Sequence, residues 1–186
     1  MRAFSARCVC YLIPLNSRET PYDPFPPAVF NVLPVVAKDR AALALGYQAL
    51  QDRAARQTPT SYGLLAKRPI DRAASDSYAL PPSSNSEVLR DVAKVMSSAA
   101  SEPVHRAGHS LIAGFRKPDL FAWSREYPVF SITHAQRHAA ALADGHVALV
   151  EDGYSFTPED QPAWLAAMIA EFADGRRIAA ESDRAT

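Results

Sequence analysis

Apolar residues recur at helical spacing in the first half of the chain. One stripe follows Asp39, a residue type that caps helices, and predicts a helix that ends near Arg56. Its members are Leu43, Tyr47, Leu50 and Ala54. A second helix is predicted from a cap at Asn85 or Ser86 to about Ala100. Its apolar side is formed by Val88, Val92, Val95 and Met96.

The clearest pattern lies in residues 127–175, which are expected to form the best-defined core. Residues 127–132 predict a strand, residues 134–144 a helix that ends at a glycine, and residues 146–150 a second strand. The alternation of strand and helix favours a sheet that is covered by helices.

Three further elements complete the predicted architecture. Residues 7–15 and 28–36 predict strands, and Pro34 places the second of them at a sheet edge. A last helix is predicted with Asp160 as its N-cap, because this start leaves Pro162 in the first turn, where proline is tolerated.

Two segments lack a sustained apolar period of either 2 or 3.6 residues. Residues 16–27 are interrupted by prolines, and residues 57–84 form a connection that is unusually long for a compact domain. Both segments nevertheless carry large apolar side chains, which a solvated linker does not need. We therefore predict extended arms that bind a partner protein through Tyr22, Phe25, Tyr62, Leu65, Tyr78 and Leu80.

Together these patterns predict an α+β fold in a single domain of residues 1–186. The expected sheet is small, mixed or antiparallel, with about four to five strands packed by three to four helices, and the arms are irregular and contain proline. The 186 residues are enough for one well-buried core.

Charge and hydropathy remove several classes of function from consideration. Acidic and basic residues number 20 each, so composition gives no signal for a nucleic-acid or membrane-surface partner. No apolar run approaches the length of a membrane-spanning helix. No motif in the sequence indicates a small-molecule ligand, so the sequence makes no prediction about one.

The two cysteines, Cys8 and Cys10, are too close along the chain for a well-formed disulfide. They indicate reduced residues in an intracellular, reducing compartment. The first 18 residues contain arginines and serines but no acid, which is also the composition of an organellar transit segment. The chain is therefore expected in the cytoplasm or in an organellar matrix.

Histidines provide the first candidate for chemistry. His105 and His109 form one pair at helical spacing and His134 and His138 form another, with His146 near in sequence. A pair on one helix face can bind a metal through its neutral imidazoles. However, a working site needs three or four ligands, so we expect no metal and no other cofactor, and the second pair with His146 is only a weak candidate.

Ser110 provides the second candidate. Residues Gly108, His109 and Ser110 resemble the opening of the nucleophile elbow of α/β-hydrolases, which implies a catalytic serine on a sharp turn between a strand and a helix. The sequence departs from that motif at Ile112, where the turn requires a small residue.

A surface function is the interpretation that uses most of these features. We expect a non-catalytic protein that binds another protein, in the first place as an accessory or structural subunit of a larger assembly. A small inhibitor or immunity-type protein is the related alternative, and a serine hydrolase or histidine-metal enzyme is the competing class.

Overall fold

A computed structural model of the chain describes residues 30–98, 106, 110 and 112–174. The predicted strand at residues 7–15 and the arm at residues 16–27 lie outside this part. Contacts divide the described residues into two compact units. The helical unit contains the described residues 30–64, 69–98, 106 and 110, and the C-terminal unit contains residues 65–68 and 112–174.

The described helical unit consists of six α-helices and one 3₁₀ turn. They are α1 (Leu33–Val36), α2 (Arg40–Ala49), α3 (Arg53–Arg56), the 3₁₀ turn (Tyr62–Leu64), α4 (Arg72–Ala79), α5 (Pro81–Ser84) and α6 (Ser86–Ser98). Helix α6 packs against α1, α2 and α5.

The C-terminal unit contains a strand–helix–strand motif followed by two helices. Its elements are β1 (Asp119–Ser124), α7 (Ile132–Ala141), β2 (Gly145–Val150), α8 (Thr157–Asp160) and α9 (Pro162–Ala173). Strands β1 and β2 are parallel, and Asp119 lies opposite Gly145. Parallel neighbours need a crossover connection, which here contains α7.

The capping residues predicted for α2 and α6 are confirmed. The Asp39 carboxylate accepts hydrogen bonds from the N–H groups of Ala41 and Ala42 at 2.9 and 3.1 Å. The Asn85 side chain accepts one from the N–H of Glu87 at 2.9 Å. Both caps satisfy donors that a helix leaves unpaired at its first turn.

The predicted mixed or antiparallel sheet of four to five strands is wrong. The described residues contain a sheet of two parallel strands only, among many helices. Residues 33–36 form α1. Pro34 lies in its first turn, where the missing N–H of proline costs nothing because that turn has no intrahelical acceptor. Residues 127–131 form no strand, and α7 begins at Ile132. The strand next to β2 is β1, in a region to which the sequence assigned no element.

Residues 57–84 are also more regular than predicted. They contain the 3₁₀ turn, α4 and α5, and Asp71 caps α4 by accepting from the N–H groups of Ala73 and Ala74. The 3₁₀ turn and α5 span about one turn each, and α4 is built mainly of alanine and serine, so none of them shows an apolar period. Short helices therefore replace most of the predicted arm.

The buried centre of the C-terminal unit lies between the sheet and α9. Leu120, Ala148 and Phe172 form it, with Trp164 and Met168 packed against them. At the start of β2, a Cβ atom on Gly145 would lie 2.3 Å from the carbonyl oxygen of Ala139. The chain can pass this close to the end of α7 only because position 145 has no side chain.

No helix in the described part of the chain is both long and apolar enough to cross a membrane.

One buried arginine connects three parts of the helical unit. Arg56 is 1% exposed, and its Nε donates to the carbonyl of Leu50 at 2.6 Å. Its Nη1 donates to the Ser75 hydroxyl at 3.0 Å and to the Asp76 carboxylate at 2.6 Å. Hydrogen bonds from Arg53 and then from Arg56 lower the pKa of Asp76 to about 2. The pair is therefore charged at neutral pH.

Substitution of Arg56 by alanine is expected to lower the free energy of unfolding by about 3 kcal/mol, because buried polar groups lose their partner. Urea denaturation at pH 7 measures this. Arg53→Ala is the matched control, since Arg53 also bonds to Asp76 but is half-exposed. Equal losses in the two variants would contradict the importance assigned to burial.

The first residue of β1 is a buried acid. The Oδ1 atom of Asp119 has no hydrogen-bond partner in the described part of the chain. Burial raises the pKa of Asp119, and the N–H of Leu120 offsets only part of this effect. The neutral carboxyl is thus the form that the fold prefers.

Asp119→Asn is expected to stabilise the protein at pH 7. The wild type loses stability as pH rises from below the ordinary aspartate pKa through the raised native one, whereas asparagine does not titrate. Thermal unfolding at pH 3 and pH 7 compares the two proteins. Their difference should be small at pH 3 and favour the variant at pH 7, and a difference that does not grow with pH would disprove the assignment.

Candidate functional site

The carboxyl ends of β1 and β2 are the first place to look for a site, because open α/β sheets bind ligands there. Arg125 follows β1, and its N–H donates to the carbonyl of Val150 at 3.0 Å. The Arg125 side chain pairs with Glu151 at 2.5 Å. We call the loops that follow the two strands, residues 125–127 and 151–156, the carboxyl edge.

A buried carboxylate next to this edge organises the backbone. Asp160 is 7% exposed. Its Oδ2 accepts from the N–H groups of Tyr154 and Lys67 at 2.8 and 2.9 Å, and its Oδ1 accepts from the N–H of Arg68 at 3.0 Å. Within the described part of the chain, three backbone donors satisfy this carboxylate, and its oxygens contact no cationic side chain.

The carboxylate thereby fixes Leu65–Arg68, which we call the strap. The carbonyl of Leu65 accepts from the N–H of Phe156 at 2.7 Å, so the strap is bonded to the carboxyl edge at both of its ends. Ala66 between them is buried.

The charged side chains of the strap pair with acids of the carboxyl edge. Lys67 bonds to Glu126 and, at 2.8 Å, to Asp152. The Arg68 guanidinium also bonds to the Asp152 carboxylate, and it donates to the carbonyl oxygens of Asp152 and Asp160 at 3.0 and 3.2 Å. Lysine, arginine and the acids are all at least partly exposed.

These pairs favour the charged forms of Lys67, Glu126 and Asp152. Hydrogen bonds to Asp152 and Glu126 raise the pKa of Lys67, and the same lysine lowers the pKa of both acids. An amine that is held as an ammonium ion is not a nucleophile. The ion pairs therefore hold the strap against the loops that follow the strands.

The loop after β2 packs against the end of β1 and the start of α8. The Ser124 hydroxyl donates to the carbonyl of Tyr154 at 2.6 Å and lies 3.3 Å from the Thr157 hydroxyl. A Cβ on Gly153 would come within 3.4 to 3.6 Å of Asp160, Gln161 and Ser124 atoms. Asp152 has φ 58°, a left-handed backbone that aspartate tolerates better than most residues.

Asp160 was predicted to cap the last helix, and this assignment is wrong. The residue before α9 is Gln161, with no side-chain cap, and Asp160 ends the short helix α8. Its carboxylate serves the strap instead. The prediction that Pro162 lies in the first turn of the last helix is confirmed.

The predicted histidines lie in packed surroundings. His134 lies 3.4 Å from the Ser131 hydroxyl, and His138 stacks on Phe121 at 6.0 Å. Burial, and secondarily His134, lowers the pKa of His138. His146 pairs with Asp144 at 2.8 Å and contacts the Phe172 ring. Within the residues that the structure describes, no three potential ligands are grouped for a metal ion, and His105 and His109 lie outside them.

Ser110 is exposed and has helical backbone conformation, as has Arg106. A nucleophile elbow places its serine directly after a strand, and no strand precedes Ser110 among the described residues. Gly108 and His109 are outside the described part.

The predicted partner-binding residues have different environments. Tyr62 is half-buried and packs edge-on to Tyr78 at 6.3 Å, and burial raises the pKa of Tyr62 to about 12. Leu65 belongs to the strap and is half-buried. Tyr78 and Leu80 are exposed. Tyr22 and Phe25 lie outside the described residues.

The sequence did not reveal the strap or its acceptor. Lys67 and Asp160 are 93 positions apart, and no local period or motif connects them. The available signals were the turn at residues 151–153 and the two adjacent cations Lys67 and Arg68 in an otherwise irregular segment.

Comparison with known proteins does not assign a family: no family model matches this chain, and no curated protein and no solved structure matches it significantly. The site is therefore interpreted from its own chemistry.

Asp160→Asn is expected to lower the free energy of unfolding by about 3 kcal/mol, because the amide keeps one oxygen acceptor and brings its own donors toward backbone N–H groups. Chemical denaturation at pH 7 measures the loss. Asp71→Asn is the matched control, since Asp71 also accepts two backbone N–H bonds but at an exposed helix cap, where asparagine is equally suitable. A loss at Asp160 no larger than that at Asp71 would contradict the role given to the buried carboxylate.

Proposed function

We propose that this chain is a non-catalytic protein that binds another protein, as an accessory or structural subunit of a larger assembly. One observation carries the proposal: large apolar side chains are exposed on the helical unit far more than on the C-terminal unit. Among the residues that the structure describes, seven of eight such residues belong to the helical unit, and Ile169 is the exception. The seven are Val32, Leu33, Val35, Leu45, Tyr78, Leu80 and Val95.

Single exposed apolar residues are common on protein surfaces, so their location matters more than their number. Val95 on α6 is 69% exposed, and Val35 on α1 is 67% exposed. Helices α1 and α6 pack against one another, as do α2 and α6. On α2, Leu45 is 65% exposed. Three mutually associated helices thus each expose an aliphatic side chain.

The charges of α6 support an apolar partner surface over a charged one. Arg90 pairs with Glu87 and, at 3.0 Å, with Asp91, which also pairs with Lys94 at 3.5 Å. The charged side of α6 is therefore neutralised within the helix. Leu89 is the one fully buried residue of α6, so the other apolar residues of this helix keep part of their surface accessible. An aliphatic surface with a neutral border fits the apolar centre of a protein interface.

Two residues that the sequence singled out for partner binding agree with this proposal. Tyr78 and Leu80, at the end of α4, are both among the exposed apolar side chains. Aromatic residues with accessible rings are frequent anchors of interfaces. We propose that they extend the binding surface beyond α1, α2 and α6.

The double variant Val35→Gln with Val95→Gln tests the proposal. Glutamine is a good helix former, so the fold is expected to persist, while the apolar contact area is lost. The full-length chain is purified with its bound proteins from its native cells, and the partners are identified by mass spectrometry. We expect a stoichiometric partner with the wild type and at least about a tenfold weaker complex with the double variant when both are reconstituted from purified components.

Ser98→Gln, another exposed position of α6, is the control and should retain the partner. Equal retention by the double variant would contradict the proposed surface. Self-association of the purified wild type, measured by sedimentation equilibrium and lost in the double variant, would assign the surface to a second copy and reject the separate partner.

A further inference from the structure

Polar contacts hold three of the four residues of the strap. Ala66 is its one fully buried residue, and Leu65 is half-buried. The polar contacts are the backbone bonds to Asp160 and Phe156, the exposed ion pairs of Lys67 and Arg68, and the bonds from the Arg68 guanidinium to two carbonyl oxygens. Segments with few buried apolar contacts open at lower free energy than the surrounding core.

Its backbone bonds are also linked to one another. The N–H groups of Lys67 and Arg68 share a single acceptor group, the Asp160 carboxylate, and the N–H of Phe156 bonds to Leu65 two residues earlier. Moving the four residues away from the edge breaks all three bonds together. The N–H of Tyr154 differs, because it reaches the same carboxylate from the carboxyl edge itself.

The ionic contacts are of the kind that salt weakens. Lys67, Arg68 and Asp152 are partly exposed, so the attraction between them is screened by solvent and by dissolved ions. The ion pairs therefore add to the stability of the state in which the strap is bonded to Asp160.

We propose that Leu65–Arg68 is an ionically fastened lid, which opens as one unit and uncovers the carboxyl ends of the β1–β2 pair. In the closed state it is bonded to Glu126, Asp152 and Phe156, which lie on the loops that follow the two strands, and ligands of parallel sheets bind at such loops. When it opens, the Asp160 carboxylate loses two of its three donors and the N–H of Phe156 loses its acceptor. This inference is independent of the proposed binding surface on the helical unit.

Native-state hydrogen exchange by NMR on the full chain tests the lid. The amides of Lys67, Arg68 and Phe156 should exchange at one common opening equilibrium, and the Tyr154 amide should stay more protected. The double variant Lys67→Ala with Arg68→Ala should increase the opening of Phe156 by about 3- to 10-fold, as expected for the loss of exposed ion pairs. Raising NaCl from about 0.05 M to about 1 M should act in the same direction on the wild type, since the screening length falls to about 3 Å.

The control variant Arg90→Ala with Lys94→Ala removes exposed ion pairs of α6 and should leave these amides unchanged. The amides of Ala148 and Val150 in β2, which point toward β1 in the parallel register, report unfolding of the C-terminal unit. Unrelated exchange behaviour of the Lys67, Arg68 and Phe156 amides, no effect of the double variant, or an equal acceleration of the β2 amides would each overturn the proposal.

Discussion

A buried carboxylate must find hydrogen-bond donors inside the protein, because leaving water costs it several kcal/mol. Asp160 finds three of them in the backbone, two from the strap and one from the loop after β2. Satisfying this single group therefore determines where an otherwise irregular segment lies. The tight turn at Asp152 and Gly153 follows from the same requirement, since it brings the N–H of Tyr154 to the carboxylate.

The helical unit solves the corresponding problem with a cation. Arg56 is buried, and it collects a backbone carbonyl, a hydroxyl and a carboxylate from three different parts of the chain. In both units a buried charged side chain fixes the position of short segments through several hydrogen bonds. Such groups specify an arrangement as much as they stabilise it, because alternative packings would leave a charge without partners.

Local signals in the sequence predicted part of this fold. Asp39 and Asn85 identified two helix starts. The pattern of residues 134–150 also predicted a helix followed by a strand, and the structure has α7 and β2 there. Prediction failed where a residue type has two structural uses. Pro34 was taken to mark a sheet edge, but it also fits the first turn of a helix. β1 was missed because it buries polar residues at both of its ends, Asp119 and Ser124, and so lacks a simple apolar alternation.

The candidate site could not be derived in the same way. Its acceptor and its donors are joined by tertiary structure, and Asp160 in the sequence has the ordinary appearance of a helix cap. What the sequence did indicate, exposed apolar residues near the end of α4, concerns a surface and requires only local information.

The missing side chain at Gly145 limits how this protein can change over evolutionary time. Any other residue there would have to displace the main chain at the end of α7, since the nearest obstacles are backbone atoms of Ala139 and not a flexible side chain. Descendants of this sequence should therefore keep glycine at position 145, while the solvent-facing residues of α7 drift freely.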